Sequence, residues 1–248
     1  MSFLFAVLVK APLIIGSTIF MGTISLLTSL FDPDGRRQHA ISRNWAKQLL
    51  WFAGIQLRVR GLEHVKPGQH FLFAGNHLSL YDTPVVLATI PRQFLFLVNI
   101  KYVKLPFLGT HLRRSGHFAV DPDDTRSSLK VLTDAAKRIQ ERGLSVLLFP
   151  EGRRASGGLQ EFKEGVAYIA IKSGAPVVPF ALKGTREVLP IGSVHVKGGP
   201  VEFLLGEPID PSSYTLKQRE EFTALLRERI EALMRQLDEE EPARREAA

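Results

Sequence analysis

The chain has no cysteine among its 248 residues, which excludes a disulfide framework, a thiolate metal site and a cysteine nucleophile. Other chemical signatures are missing too. There is no G-x-S-x-G elbow, so the usual α/β-hydrolase serine is absent. The lack of G-x-x-x-x-G-K-[ST], G-x-G-x-x-G and H-E-x-x-H argues against nucleotide hydrolysis, dinucleotide use and zinc proteolysis. The seven histidines form no tight ligand cluster, so neither a metal nor a cofactor is implied. No internal repeat is found, and no linker divides the region after residue 55.

Acid is in deficit. Against 32 Lys and Arg stand 25 Asp and Glu, a formal charge of +7 that favours anionic partners. A 45% apolar composition is enough for a substantial core in one large domain or a domain plus an appendage. The N-terminus is nearly free of charge. Residues 3–31 carry only Lys10, and the 21 residues from Ala11 to Phe31 carry none. As a helix that run reaches roughly 30 Å, the thickness of a hydrocarbon core. It is too long for a signal peptide, and no positive residue precedes it, so it reads as a retained membrane anchor.

After the DPDG turn at 32–35, Ile41, Trp45, Leu49 and Phe52 recur at helical spacing, with Arg43 and Lys47 on another side. Such a helix suits a membrane interface. Residues 1–54 therefore read as a membrane-embedded helical hairpin. A full single span competes with this, as does simple packing of the second helix on the following domain.

From residue 55 to 240 short apolar runs alternate with helical stretches. IQLRVRG, FLFAG, FLFLV, HFAV, LSVLLF and VVPFAL read as strands. Helices are expected at 125–142, with Leu129, Leu132, Ala136 and Ile139 in one stripe, at 163–173, and from Leu216 to Glu240. An edge hairpin is expected near 194–205, and residues 241–248 form a charged tail. The fold class is α/β, a mainly parallel sheet flanked by helices and preceded by the hairpin.

Two segments carry chemistry. In AGNHLSLYDTP, His77 and Asp82 would lie about 140° apart on one helix, so a bend is needed for them to meet. Asp-Thr-Pro at 82–84 starts a helix and places that bend at 76–81. Bent, the pair makes a general base. Otherwise Asp82 is a helix cap and His77 a satisfied histidine. In LSVLLFPEGRRASGG a strand delivers Glu151, Gly152, Arg153 and Arg154 to a loop at its carboxyl end, where α/β sheets bind ligands. Two guanidiniums can hold a phosphate there, or be solvated. Lys101, Lys104, Arg113 and Arg114 cluster at 101–116, which a basic helix explains equally well.

Together these segments resemble the glycerolipid acyltransferases, most closely the lysophosphatidic acid acyltransferases. Asn76, His77 and Asp82 match the family's N-H-x4-D block, and Phe149, Pro150, Glu151, Gly152 and Arg154 its F-P-E-G-x-R block. Lys101, Pro106, Gly109 and Gly116 approximate the second block, and Val178, Pro179 and Phe180 the fourth. The chain departs twice: Arg153 replaces a threonine, and Pro122 stands where block two commonly ends in arginine, for which Arg113, Arg114 or Arg126 are substitutes.

The resemblance implies acyl transfer from acyl carrier protein or acyl-CoA to lysophosphatidic acid, with His77 and Asp82 catalytic. It implies substrate contacts from Asn76, Glu151, Gly152, Arg153, Arg154, Lys101, Arg113, Arg114 and Pro179, with Arg154 on the acceptor's phosphate. Another lysolipid, including an ornithine-lipid precursor, is the alternative acceptor. A non-catalytic protein that binds anionic lipid is the rival class. No nucleic-acid module is present. Arg36, Arg37, Arg43 and Lys47 after the apolar run place the catalytic domain on the cytoplasmic face of the cell membrane, as a peripheral or monotopic protein.

Overall fold

A computed structural model describes residues 6–154 and 157–246, with side chains as far as residue 240. The expected tail at 241–248 thus lies outside the described side chains, and its last two residues lie outside the described residues altogether. Seven strands form one sheet in the order β1-β7-β6-β2-β5-β3-β4. They are β1 (Ile55–Arg60), β2 (Leu72–Gly75), β3 (Phe94–Asn99), β4 (Phe118–Val120), β5 (Ser145–Leu148), β6 (Val177–Lys183) and β7 (Gly199–Leu205). Every pairing is parallel except β6 with β7.

The helices are α1 (Ala11–Thr28), α2 (Arg36–Ala53), α3 (Asp82–Thr89), α4 (Ile100–Val103), α5 (Leu108–Arg114), α6 (Thr125–Arg142), α7 (Gly165–Ser173), α8 (Thr185–Val188) and α9 (Arg219–Glu246). α6 has the expected bounds because both ends are signalled locally. Asp124 caps its first turn by accepting from Ser127 N at 2.9 Å, and Gly143 closes it with φ 61°.

The run FLFA at 71–74 is apolar throughout because both faces of its strand are covered. Phe71 and Phe73 join Phe94, Phe180, Phe203, Val85 and Val86 on the face packed by α2 and α3. Leu72 and Ala74 join Val146, Ile139, Val166, Phe222 and Leu226 on the face packed by α6, α7 and α9. Within α6 the buried stripe is Ala135, Ala136 and Ile139 with Leu132 against it, while Leu129 is exposed.

Two expectations are corrected. Residues 194–205 form no edge hairpin. Their single strand, β7, lies between β1 and β6, where Val201, Phe203 and Leu205 are buried as an edge pair could not bury them. The interfacial stripe of α2 faces inward: Ala46, Leu50 and Ala53 enter the core, Ile41, Trp45 and Leu49 line a cavity, and only Trp51 of the two tryptophans is exposed, at 78%.

The helical stretch Ala6–Phe31 is long and apolar enough to cross a membrane, with mean hydropathy 1.8, and Leu8, Ile15, Ile19, Phe20 and Phe31 are exposed along it. It is docked over its whole length. Lys10 donates to Ala53 O, Ser17 Oγ to Gln48 Oε1 at 2.7 Å, and Trp45 Nε1 to Thr18 Oγ1 at 3.0 Å. Further along, Ser25 Oγ meets His111 Nδ1 at 3.1 Å, and Arg114 Nη1 donates to Ser29 Oγ at 3.0 Å.

Candidate active site

β2 ends in a loop that turns back on itself before α3. The bend is held by one carboxylate. Asp82 has no exposure, and its Oδ2 accepts from Leu78 N at 2.6 Å, Ser79 N at 2.9 Å and His77 Nδ1 at 2.8 Å. Its Oδ1 accepts from Thr185 Oγ1 at 2.5 Å. The backbone donors precede Asp82 in sequence, so its carboxylate fastens the 76–81 bend and does not cap α3.

The pairing fixes the ring. With Nδ1 on a carboxylate, Nε2 is the nitrogen left for a ligand, and it has no partner among the described residues. The ring stacks on Phe149 at 4.0 Å between centroids and 9° between planes, and Phe149 rests edge-on against Phe180 at 6.0 Å. His77 keeps 18% side-chain exposure and opens onto the cavity.

Two other polar groups near His77 hold the frame. Asn76 is fully buried, and its amide donates to Leu182 O at 2.9 Å and accepts from Leu182 N at 2.7 Å, stitching the end of β2 to β6. Glu151 is 4% exposed and accepts from His77 N at 2.7 Å and Gln160 N at 2.9 Å, so both oxygens tie loop to loop. Gly152 turns the chain with φ 69°.

Beyond that turn Arg153 is exposed and Arg154 partly so. Both line the cavity, and neither guanidinium has a partner among the described residues. Lys101 also lines it, with its ammonium 5.1 Å over the Tyr102 ring. Arg113 is turned to Val103 O at 2.6 Å and Thr110 Oγ1 at 3.2 Å, and Arg114 to Ser29, away from the cavity wall. Pro179 is buried within β6, where its carbonyl accepts from Gly206 N at 2.8 Å. Pro122 is on the cavity wall, whereas Arg126 is exposed in the first turn of α6.

The cavity measures about 1450 Å³, more than the ~300–1,000 Å³ of ordinary small-molecule sites. It runs from His77 and the 149–154 loop under α1 and α2, between Ile14, Leu49, Leu87 and Leu97. Three other histidines reach its wall. Burial, and then the neighbouring His111 and His39, holds His117 down to about 3, and burial holds His39 down to about 4. These rings are neutral, and burial also lowers His111.

Two members of the site escaped the sequence reading. Thr185 follows Gly184, whose φ is 89° and where a Cβ would stand 2.2 Å from Pro200 O, so only glycine carries the chain under Asp82. Lys163 lines the cavity beside Gly152, and its backbone amide donates to Pro150 O at 2.9 Å. A lysine at a predicted helix start gave no local sign of either contact.

Comparison with known proteins places the chain in a family. Residues 56–183 match the family model described as Acyltransferase. A 1-acyl-sn-glycerol-3-phosphate acyltransferase of Haemophilus influenzae is 26% identical over 221 residues, 89% of this chain and 90% of that protein. One from Limnanthes douglasii is 26% identical over 179 residues, 72% of this chain, and the chain spans 63% of that relative's length. In fold the chain matches the crystal structure of the 1-acyl-sn-glycerophosphate (LPA) acyltransferase PlsC from Thermotoga maritima, with TM-score 0.78 and 23% identity over 94% of this chain and 96% of that one. The family match takes in His77, Asp82 and the 149–154 loop within more than half of the sequence, and the chain belongs to the acyltransferase family.

Proposed function

We propose that the protein is a membrane-surface O-acyltransferase that moves a fatty acyl group from an acyl thioester, acyl carrier protein or acyl-CoA, to the sn-2 hydroxyl of lysophosphatidic acid. The product is phosphatidic acid, an intermediate of phospholipid synthesis. The observation that carries this reading is the Asp82-held His77 ring at the mouth of a long, mainly apolar cavity, beside two guanidiniums with no partner among the described residues. The names of the Haemophilus and Limnanthes relatives support the acceptor.

In the proposed reaction Nε2 of His77 takes the proton of the acceptor hydroxyl as that oxygen attacks the thioester carbonyl. A C–O bond forms and the C–S bond breaks. The thiolate leaves and takes the proton back from Nε2. Asp82 holds the tautomer and balances the imidazolium while it lasts. Arg154, with Arg153 and Lys163, faces the phosphate. The docking of α1 at both ends against α2 and α5 favours a helix lying in one leaflet over one crossing it. Arg36, Arg37, Arg43 and Lys47 favour the cytoplasmic face.

The test uses lipid micelles, a long-chain acyl thioester and lysophosphatidic acid, with thiol and phosphatidic acid followed together. Wild type should release both in step, and folded His77→Ala should lose about 10²- to 10⁴-fold. Full activity in that variant would end the proposal. Thiol release without phosphatidic acid would point to hydrolysis or to another lysolipid acceptor.

A further inference from the structure

The loops at the cavity mouth carry apolar side chains that the α/β domain leaves uncovered. Leu80 beside His77, Leu105 and Phe107 before α5, and Ile191 and Val194 before β7 are exposed, Val194 to 83%. The same segments are free of acid. Residues 76–81, 100–114 and 189–198 hold none of the chain's 25 Asp and Glu, yet they hold Lys101, Lys104, Arg113, Arg114 and Lys197. The opposite flank differs, since the 149–164 loop carries Glu151, Glu161 and Glu164. An apolar rim bordered by cations and lacking carboxylates suits anionic headgroups above an acyl layer.

Both loops pack against the N-terminal helices. Around Phe107 (φ 64°, ψ −67°) Leu108 N donates to Pro106 O at 2.7 Å, a γ-turn that presses the ring onto α1. A Cβ at Gly22 would stand 2.5 Å from that ring. At the other end, a Cβ at Gly198 would stand 2.8 Å from Gly54 O and 2.9 Å from Ala53 O, and Ala53 O is where Lys10 docks. The first loop therefore meets α1 at its middle, and the second meets the end of α2 to which Lys10, just before α1, is docked, with exposed Ile15, Ile19 and Phe20 along α1 between those two levels.

We propose that the 104–108 and 189–198 loops are a second membrane contact. Leu105 and Val194 enter the same anionic leaflet as α1, which puts the cavity mouth at headgroup level, so a lipid acceptor reaches His77 without leaving the bilayer. This rests on the reading of α1 as membrane-bound.

Because the chain lacks cysteine, single-cysteine variants report one site each. Full-length Leu13→Cys, Leu105→Cys, Val194→Cys and Ser212→Cys, each with a fluorophore, are mixed with phosphatidylglycerol and phosphatidylcholine vesicles that carry a nitroxide high on the acyl chain. Ser212 is the control, in the loop after Ile209, which pairs with Val177 at the end of β6 away from His77. Quenching at 105 and 194 to the level of 13, with 212 unquenched, is expected. Quenching at 13 with either loop label behaving like 212 overturns the two-loop contact and spares the anchor. Quenching at 105 and 194 without 13 overturns the anchor and with it a contact shared with α1, and no quenching anywhere overturns both. Val194→Asp should also weaken vesicle binding about tenfold while leaving turnover of a monodisperse short-chain acceptor unchanged. Unaltered vesicle binding overturns the role of Val194.

Discussion

Asp82→Asn separates two tasks of the Asp82 carboxylate. An asparagine can put its carbonyl oxygen where Oδ2 lies and keep the bonds from Leu78 N, Ser79 N and His77 Nδ1. Its amide then donates to the Thr185 hydroxyl, which turns from donor to acceptor. The bend survives, at an expected cost of about 1–2 kcal/mol for exchanging charged for neutral hydrogen bonds, a fall in Tm of a few degrees.

What the variant loses is the charge that faces the ring when Nε2 takes the acceptor's proton. Nδ1 lies 2.8 Å from Oδ2. With charge centres about 4 Å apart and an effective dielectric of ~20, the carboxylate stabilises an imidazolium by about 4 kcal/mol, or roughly 10³ in rate. The assay is initial thiol release at saturating acyl thioester and lysophosphatidic acid, run beside a thermal melt. Asp82→Ala gives the contrast. It strands two amides and a hydroxyl in a site without exposure and should cost about 3–5 kcal/mol of stability. An Asp82→Asn enzyme that keeps more than about a tenth of wild-type kcat would refute a cationic His77 in the transition state.

Arg154→Ala should raise the acceptor KM about tenfold and leave the donor KM unchanged, because its guanidinium is assigned to the phosphate and not to the thioester. An equal rise in both would reject that role. Stability should fall in acid. His39 and His117 are held near 4 and 3 by burial, while the unfolded chain takes up protons there below about 6.5. The contribution is therefore whole above about pH 6.5 and lost progressively toward pH 4, by up to about 2 kcal/mol per ring at pH 5. Urea unfolding at pH 7 and pH 5 measures the difference, and His39→Phe should remove the His39 share of it, with His117 and His111 supplying the rest. A difference unchanged in that variant would show that other groups set it.

What could be read from sequence was local. Strands such as FLFA declare themselves by continuous apolar character, and α6 by the apolar stripe through Leu132, Ala136 and Ile139. His77 and Asp82 were readable as a pair because the bend joining them is only six residues long. Trp45 is ambiguous in sequence for a reason of the same kind. A helix with indoles and cations shows one pattern whether its apolar side meets lipid or the wall of a cavity, and only its tertiary partner decides. Asn76 and Glu151 stand next to His77 and read as ligand contacts until burial shows both hydrogen-bonded into the frame.

Thr185 was out of reach, since 103 residues separate it from Asp82 and only the β2–β6 pairing brings it there. The same pairing explains why order along the chain is the stronger signal of this site. β2 and β5 pair in parallel through Leu72 with Val146, so the loops that follow them, one with His77 and one with Arg154, emerge at the same end of the sheet. The loops that join the elements between those strands can change length without moving either end, because the positions of β2 and β5 are set by their own pairing. Spacing between the motifs is thus weakly constrained, whereas an exchange of their strands would separate histidine from arginine and dismantle the site.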